Sequence, residues 1–313
     1  MGSSHEKLRT VRGQRRSPLL RKFRVWGLWV RGRGFSRDIK HRTQGALGPE
    51  ELIVSTMIFA DAKQRFSNRV ADYVRYRPGY PAVALEVLRE DCGLRPGHVI
   101  ADIGSGTGFL SELFLKNGNR VYGVEPNTEM RQAGEEYLAS YDGFSSIEGS
   151  AESTTLCDSS VDFVAAGQAF HWFEPNAARS EFIRVLKPAG WVVVLWNERL
   201  TDTTPFLRDF EAFLRKFGTD YSRINESYPR EEQMRAFFQT TACRQRQIPN
   251  LQVFDFEGLA GRVRSSSYMP AQDQPSFAPM LSALENIFRQ HQEEGAVRIE
   301  YLTRLYYGRL EPR

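Results

Sequence analysis

Residues 99–108 read Val-Ile-Ala-Asp-Ile-Gly-Ser-Gly-Thr-Gly. The apolar run predicts a buried strand, and the next residues, Phe-Leu-Ser-Glu-Leu-Phe, predict a helix. Three glycines at alternate positions predict a turn between them, because glycine adopts positive φ and lets a ligand approach the backbone closely. The first amide groups of the helix would point at the same place. We therefore expect a strand, a glycine turn and a helix that together bind a ligand.

The glycine spacing separates two classes of ligand. The dinucleotide-binding pattern is G-x-G-x-x-G, whereas this chain has G-x-G-x-G and places Phe109 where the third glycine would stand. Asp102, two residues before the first glycine, would repel a phosphate group but would tolerate a ligand that carries a cation. A dinucleotide site and an ordinary glycine turn of an α/β protein remain as alternatives on this evidence.

A second segment ends in an acidic residue. Residues 120–125 read Arg-Val-Tyr-Gly-Val-Glu and predict a strand that ends at Glu125. In a βαβ unit, a carboxylate at this place reaches the ribose hydroxyls of a nucleoside. Glu125 could instead be an ordinary solvated carboxylate. Its position one crossover after the glycine turn disfavours this alternative.

Strand and helix patterns alternate along the chain, which predicts a parallel sheet with helices on both faces. The expected strands are 98–103, 120–125, 144–148, 161–166, 191–197, 248–256 and a last strand through 297–307. The expected helices are 66–74, 81–92, 108–116, 127–140, 176–187, 205–217 and one from residue 277 that Gly295 ends, while residues 219–242 are mixed and partly helical. A lid is expected from residues 59–80 and 200–240, since large insertions between strands often form lids.

Composition bounds the class of protein. The chain has 313 residues, of which 41% are hydrophobic and 26% charged, as in soluble globular proteins. Its three cysteines are far apart, which argues against a zinc site and fits a reducing compartment. No apolar run approaches the ~20 residues of a membrane span. We expect a cytoplasmic protein without a metal or a membrane partner.

The basic charge is concentrated at the N-terminus. Residues 1–56 contain 13 of the 42 Lys and Arg residues but only 4 of the 38 Asp and Glu residues, so the remainder is mildly acidic. Three interpretations remain open for this segment: a disordered or non-native leader with Met57 as the true start, a basic targeting peptide, or a nucleic-acid-binding arm. We assign residues 57–313 to the folded domain.

The pattern Asp-x-Gly-x-Gly-x-Gly at 102–108 resembles the first motif of class I S-adenosylmethionine-dependent methyltransferases (the type 11 methyltransferase domain). Four other stretches resemble the small-molecule subgroup related to trans-aconitate methyltransferase, namely 73–81, 168–173, 184–190 and 265–270. The resemblance implies a Rossmann-like, seven-stranded, mostly parallel sheet whose last strand is antiparallel, with helices on both faces and a helical lid. It implies S-adenosyl-L-methionine as the cofactor, and methyl transfer to an oxygen, or less favourably a nitrogen, of a small-molecule substrate. A carboxylate is one candidate acceptor.

The resemblance also implies the site residues. Those expected to bind the cofactor are Asp102, Gly104, Ser105, Gly106, Gly108, Glu125, Pro126, Asn127, Met130, Ala151, Glu152, Gln168 and Phe170. Glu125 would bind the ribose, and the residues after it would flank the adenine. Met130 could instead pack in a helix core, and Glu152 could be a solvated acid or a helix cap. Weaker candidates for the substrate side are Arg77, Tyr80, Arg264 and Tyr268, with Tyr76 and Ser266 beside them.

Residues 168–173, Gln-Ala-Phe-His-Trp-Phe, follow the fourth expected strand at the sheet edge where open α/β sheets bind ligands. Phe170, Trp172 and Phe173 could enclose a methyl sulfonium, because aromatic faces attract cations. We assign catalytic roles to His171 and Trp172. His171 is expected to titrate near neutrality and to take a proton from an acceptor hydroxyl or amine. It could instead only hold the loop, and a carboxylate acceptor would need no base.

Two features disfavour a nucleic-acid substrate. The Asn/Asp-Pro-Pro-Tyr motif that amino-methylating enzymes of nucleic acids commonly carry is missing after the fourth strand, and the body of the chain is acidic. Two alternatives nevertheless remain. One is an RNA methyltransferase that uses residues 1–56 as a tether, and the other is a catalytically inactive cofactor-binding protein.

Overall fold

The computed structural model describes residues 74–219, 221, 231–239 and 243–311. Seven strands form one sheet: β1 Val99–Ile103, β2 Arg120–Val124, β3 Phe144–Ile147, β4 Val161–Gly167, β5 Leu186–Arg199, β6 Arg244–Phe254 and β7 Val297–Gly308. Their order is β3-β2-β1-β4-β5-β7-β6. Strand β7 is antiparallel to both β5 and β6, and the other neighbouring pairs are parallel. The predicted sheet, mostly parallel with an antiparallel last strand, is confirmed.

The described helices are α1 Val83–Cys92, α2 Phe109–Lys116, α3 Thr128–Tyr137, α4 Pro175–Val185, α5 Pro205–Phe217, α6 Glu231–Phe238, α7 Phe256–Arg264 and α8 Phe277–His291. A 3₁₀ turn, Phe170–Trp172, follows β4. Local signals explain the bounds of α5 well. The Thr204 side chain accepts the backbone N–H of Leu207, Pro205 opens the helix and Gly218 follows its end. This helix begins and ends at the predicted residues.

Apolar residues on the two faces of the sheet form two cores. Leu88 of α1 and Phe114 of α2 pack on one face, and Phe182 of α4 packs with Phe237 of α6 on the other. Residues 192–195 of β5 are buried throughout, as expected for a central strand that is covered on both faces. The prediction of helices on both faces is confirmed.

A third core lies in a helical layer, which we define as α5, α7 and α8. It includes Phe210 of α5, Leu259 of α7 and Leu284 of α8, and it continues into Phe254 of β6 and Val297 of β7. Because β6 runs parallel to β4 and β5, its last residue marks the carboxyl edge of the sheet. The helical layer therefore extends the sheet at the edge where the glycine turn also lies.

Two strand predictions are corrected by the structure. Strand β5 begins at Leu186 instead of residue 191, because the expected turn 187–190 is an irregular part of the strand, in which Ala189 has a φ of 62° and the register with β4 shifts. Strand β6 ends at Phe254, because Asp255 begins a helix that the pattern did not predict. Its Oδ1 accepts the Gly258 N–H at 2.7 Å and caps α7.

Several predictions fall on residues that the structure leaves undescribed. These are the helix through residues 66–73, the assignment of residues 1–56 and the boundary at Met57. Within the described part of the chain, no helix is long and apolar enough to cross a bilayer.

Candidate functional site

The three glycines of the turn have different neighbours. All three have positive φ, of 66° at Gly104, 56° at Gly106 and 92° at Gly108. A Cβ at Gly104 would stand 2.6 Å from the Cβ of Ala169, so this glycine lets the loop after β4 pack against the turn. A Cβ at Gly106 would meet only the Cε of Met130, at 3.5 Å. The space beside Gly106 is therefore the place where a ligand can approach the backbone.

Asp102 lies fully buried beneath this turn, at the end of β1. Its Oδ2 accepts the Ser111 hydroxyl at 2.7 Å, and among the described residues its Oδ1 has no hydrogen-bond partner. Burial, and to a lesser degree the charge of Glu125, raises the pKa of Asp102 to about 7. A cation bound beside this carboxylate would stabilise its ionised form, so the residue fits a ligand with a positive group.

Glu125 joins the glycine turn to the start of α3. Its Oε2 accepts the Gly106 N–H at 2.9 Å and its Oε1 accepts the Asn127 N–H at 2.9 Å. Asn127 in turn caps α3 by accepting the Met130 N–H. The expected ribose-binding acid, the expected adenine neighbours and the glycine turn thus lie together, with Pro126 exposed among them.

The end of the third strand contacts the loop after the fourth. Ala151 is buried in the core, while Glu152 is half-buried and its Oε1 accepts the backbone N–H of Glu174 at 2.8 Å. Glu174 is the residue that caps α4. The structure therefore shows a helix-end contact for Glu152, and its expected binding to the cofactor stays a prediction.

The loop after β4 begins at Gln168, a non-glycine residue with a φ of 55°. This conformation is strained and persists only where neighbouring groups hold it. The Gln168 N–H donates to the Leu195 carbonyl at 3.1 Å, and its Oε1 accepts the Asn197 N–H at 2.5 Å. Strand β5 thus holds the first residue of the loop through both its backbone and its side chain.

Phe170 packs mainly in the core, and its expected part in enclosing a sulfonium stays a prediction. It is 6% exposed, and its ring packs edge-on at 4.8 Å from the ring of Phe237 on α6. The side chain belongs to the core between α4 and α6. Trp172, by contrast, is 40% exposed and so presents its indole at the surface of the loop.

His171 lies between two indole rings. Its ring centroid is 4.4 Å from that of Trp172 and 5.1 Å from that of Trp196 on β5. Its buried Nδ1 has no hydrogen-bond partner among the described residues. Burial lowers the pKa of His171 to about 4. The expectation that this histidine titrates near neutrality is wrong, and the ring is neutral at pH 7.

Residues 77–80, which we call the cover segment, lie over the carboxyl ends of β4 and β5. The Tyr80 hydroxyl stands so close to Gly167 that a Cβ there would collide with it. The Asn197 Nδ2 donates to the Gly79 carbonyl at 3.2 Å. At the other end, the Nη2 of Arg77 donates to the carbonyl of Ser265, the residue after α7, at 3.0 Å.

The other two substrate-side candidates contact the helical layer. Arg264 pairs with Glu257, also on α7, at 3.0 Å. The Tyr268 carbonyl accepts the Thr219 N–H after α5, and its ring lies 5.2 Å from that of Tyr221. These contacts neither support nor contradict a role in binding a substrate.

The sequence patterns did not predict a role for Asn197. The cover segment and the loop after β4 both bond to β5 through this residue. The available signal was a carboxamide directly after an apolar strand, at the edge where the ligand is expected.

Comparison with known proteins agrees with this geometry. Residues 101–194 match the methyltransferase domain family. The chain is 35% identical over 139 residues to an uncharacterized methyltransferase of Mycobacterium tuberculosis and 32% identical over 152 residues to one of Schizosaccharomyces pombe. These matches cover 44% and 48% of this chain, and 54% and 59% of the relatives. The chain thus spans a little over half the length of the curated relatives it matches.

Solved structures show the same fold. A candidate type II methyltransferase of Anaeromyxobacter dehalogenans superposes with a TM-score of 0.58 at 19% identity, over 76% of this chain and 100% of its own. A candidate methyltransferase from an antibiotic biosynthesis pathway of Anabaena variabilis gives a TM-score of 0.52 at 24% identity, over 75% and 99%. At these identities the likeness concerns the fold alone.

Proposed function

We propose that this chain methylates an oxygen of a small-molecule acceptor. The premise is that residues 101–194, which match the methyltransferase domain family, form a class I S-adenosylmethionine-dependent methyltransferase domain. The matched methyltransferase domain and the curated relatives support the predicted class of protein, and the solved structures share its fold. The acceptor, its carboxylate character and the trans-aconitate-like subgroup are our proposal. A nitrogen acceptor is the less favoured form of the same reaction.

The residues present fit the cofactor. The buried Oδ1 of Asp102 can accept from a cationic amino group, and the space beside Gly106 admits a ligand next to the backbone. Glu125 lies at the same turn and offers carboxylate oxygens to hydroxyl groups. S-adenosylmethionine supplies an electrophilic methyl group on a sulfonium. The chain would hold that group toward the loop after β4, since Ala169 of this loop packs against Gly104.

Neutral His171 is the observation that supports a carboxylate acceptor. A general base works best when its pKa lies near the working pH, and a pKa of about 4 makes His171 a poor base for a hydroxyl or an amine. A carboxylate is already an anion at pH 7 and needs no base. The neutral imidazole and the two indoles can also lie near a sulfonium without like-charge repulsion.

Arg77 could orient such an acceptor. Its guanidinium lies in the cover segment, where a hydrogen bond to the Ser265 carbonyl fixes one nitrogen. Guanidinium groups bind carboxylates in a bidentate geometry. In this proposal Trp172 packs on the apolar part of the acceptor, which fits its exposed indole.

A screen of small acids, phenols and amines for release of S-adenosylhomocysteine tests the proposal. We expect turnover with a carboxylic acid, at a rate that is flat above the pKa of that acid, and less than a tenfold loss in His171→Ala. A loss of ~10²–10⁴-fold, together with a rate that titrates near neutral pH, would instead make His171 a general base.

Two other results would favour the remaining alternatives. Tight cofactor binding without turnover on any acceptor would indicate an inactive binding protein. RNA affinity that falls steeply with salt and disappears when residues 1–56 are removed would indicate an RNA methyltransferase.

A further inference from the structure

We propose that Asn197 is a positioning residue, which sets the place of His171 and Trp172 by bonding the loop after β4 and the cover segment to the same strand end. The inference rests on the proposed function, because only there do these two side chains face an acceptor. Asn197 is the twelfth residue of β5 and lies at the carboxyl edge of the sheet. It is 4% exposed.

The Asn197 carboxamide uses all of its hydrogen-bonding positions. Its Oδ1 accepts the Thr303 hydroxyl at 2.5 Å and the Asn250 Nδ2 at 3.2 Å. Its Nδ2 donates to the Gly79 carbonyl at 3.2 Å and lies 3.5 Å from that of Pro78. Since a carbonyl oxygen can only accept, the nitrogen must face the cover segment. A buried polar group that is satisfied in this way specifies one arrangement of its partners.

The backbone of Asn197 holds the base of the loop. Its N–H donates to the Oε1 of Gln168, whose positive φ directs the chain from β4 into the 3₁₀ turn. The strain at Gln168 has to be balanced by bonds of this kind, because an unheld residue would relax to negative φ. Release of the Asn197 bond would let the turn with His171 shift.

The residue before Asn197 supports the same loop from the other face of the strand. Trp196 packs edge-on against the His171 ring, and consecutive strand residues point to opposite faces of a sheet. On the Asn197 face, the Asn250 Nδ2 also donates to the Gly79 carbonyl, at 2.9 Å. The end of β5 therefore holds the imidazole on one side and the cover segment on the other.

The variants Asn197→Ala and Asn197→Asp test this role. The alanine removes the side-chain bonds to the cover segment, β6 and β7 but keeps the backbone N–H that donates to Gln168. The aspartate keeps the shape but places an oxygen against the carbonyls of the cover segment. Without these side-chain bonds the end of β5 is less firmly held, and Trp196 beside it should move away from the His171 ring. The ring then becomes accessible, so that its pKa, followed by NMR titration, rises from about 4 toward its usual value of about 6.5.

Asn119→Ala is the matched control. Asn119 is 3% exposed, and its Nδ2 donates to the carbonyls of Arg95 and His98 at 2.7 and 2.9 Å, beside the start of β2 at the opposite edge of the sheet. It should lower the melting temperature to a similar degree and leave the His171 titration unchanged. A purely structural role for Asn197 would make the two alanine variants behave alike, and this result would overturn the inference.

Gln168→Met keeps the inference testable if the Asn197 variants do not fold, because it removes only the acceptor at the base of the loop. His171 should again titrate higher than in the intact chain, and an unchanged titration would contradict the inference. Neither measurement needs turnover. A chain that methylates nothing in the screen but shows the shift at His171 would therefore refute the proposed function and support the positioning role.

Discussion

Asp102 makes a quantitative prediction about the pH dependence of cofactor binding. Its pKa in the ligand-free protein is raised to about 7 by burial. A cationic ligand group needs the ionised carboxylate, so below pH 7 binding must first release a proton. The dissociation constant for S-adenosylmethionine should then rise about tenfold per pH unit, or ~100-fold between pH 8 and pH 5, which corresponds to about 2.7 kcal/mol.

Calorimetric titration between pH 5 and pH 8, in buffers of different ionisation enthalpy, measures both the affinity and the released proton. Asp102→Asn is the control, because it retains the shape and removes the titration. It should bind more weakly at pH 8 and show no pH dependence over this range. An affinity that is flat in the unaltered chain, or equally sloped in the variant, would refute the assignment of Asp102 as the partner of the ligand cation.

The raised pKa of Asp102 also makes the stability of the protein depend on pH, but in the opposite direction. Stability falls as the pH rises, whereas cofactor binding becomes stronger. The folded-state pKa of Asp102 is raised above its usual value of 3.8, so the stability that this shift contributes is full below pH 4 and is lost as the pH rises through 7. Between pH 5 and pH 8 the unaltered chain should therefore lose free energy of unfolding that Asp102→Asn keeps. The variant becomes more stable relative to the unaltered chain as the pH rises. Urea unfolding at the two pH values measures this difference.

The remaining predictions concern the turn and the aromatic loop. Gly106→Val should abolish S-adenosylmethionine binding in calorimetry while circular dichroism stays unchanged, because its side chain would enter the open space beside the turn; normal binding would exclude this turn as the cofactor site. Phe170→Ala should lower the free energy of unfolding by about 3–5 kcal/mol, since it leaves a core cavity. Trp172→Ala should lower it by less than Phe170→Ala does, because the Trp172 ring is 40% exposed, but it should weaken acceptor binding. The reverse ranking in urea unfolding would contradict the placement of the two rings.

The features that were predictable from the sequence are those set by neighbouring residues. The glycine spacing of 102–108 is enough to specify the turn between β1 and α2, because the conformation is local. Thr204, Pro205 and Gly218 likewise fix the bounds of α5 within one stretch of chain. Asp255 gave a similar local signal, because aspartate often caps the start of a helix. The predicted strand 248–256 nevertheless included this residue, and so the start of α7 was missed.

The features that were not predictable depend on residues far along the chain. Phe170 packs in the core because Phe237, on α6, meets its ring. The low pKa of His171 comes from its burial, to which Trp196 of β5 contributes by packing against the ring. The bonds of Asn197 join residues that only the folded sheet brings together. Periodicity and local spacing contain no information on such contacts.

The pairing of β6 with β7 decides how a molecule can enter. The ladder runs without a break from Arg244 opposite Tyr307 to Phe254 opposite Val297, and so passes from the core of the sheet into that of the helical layer. A hinge between the two would have to rupture this ladder, and the helical layer cannot swing away as a separate body. The cover segment differs in this respect, because the side chains of Arg77, Asn197 and Asn250 join it to the rest of the described chain, and such bonds can break while the ladder stays intact.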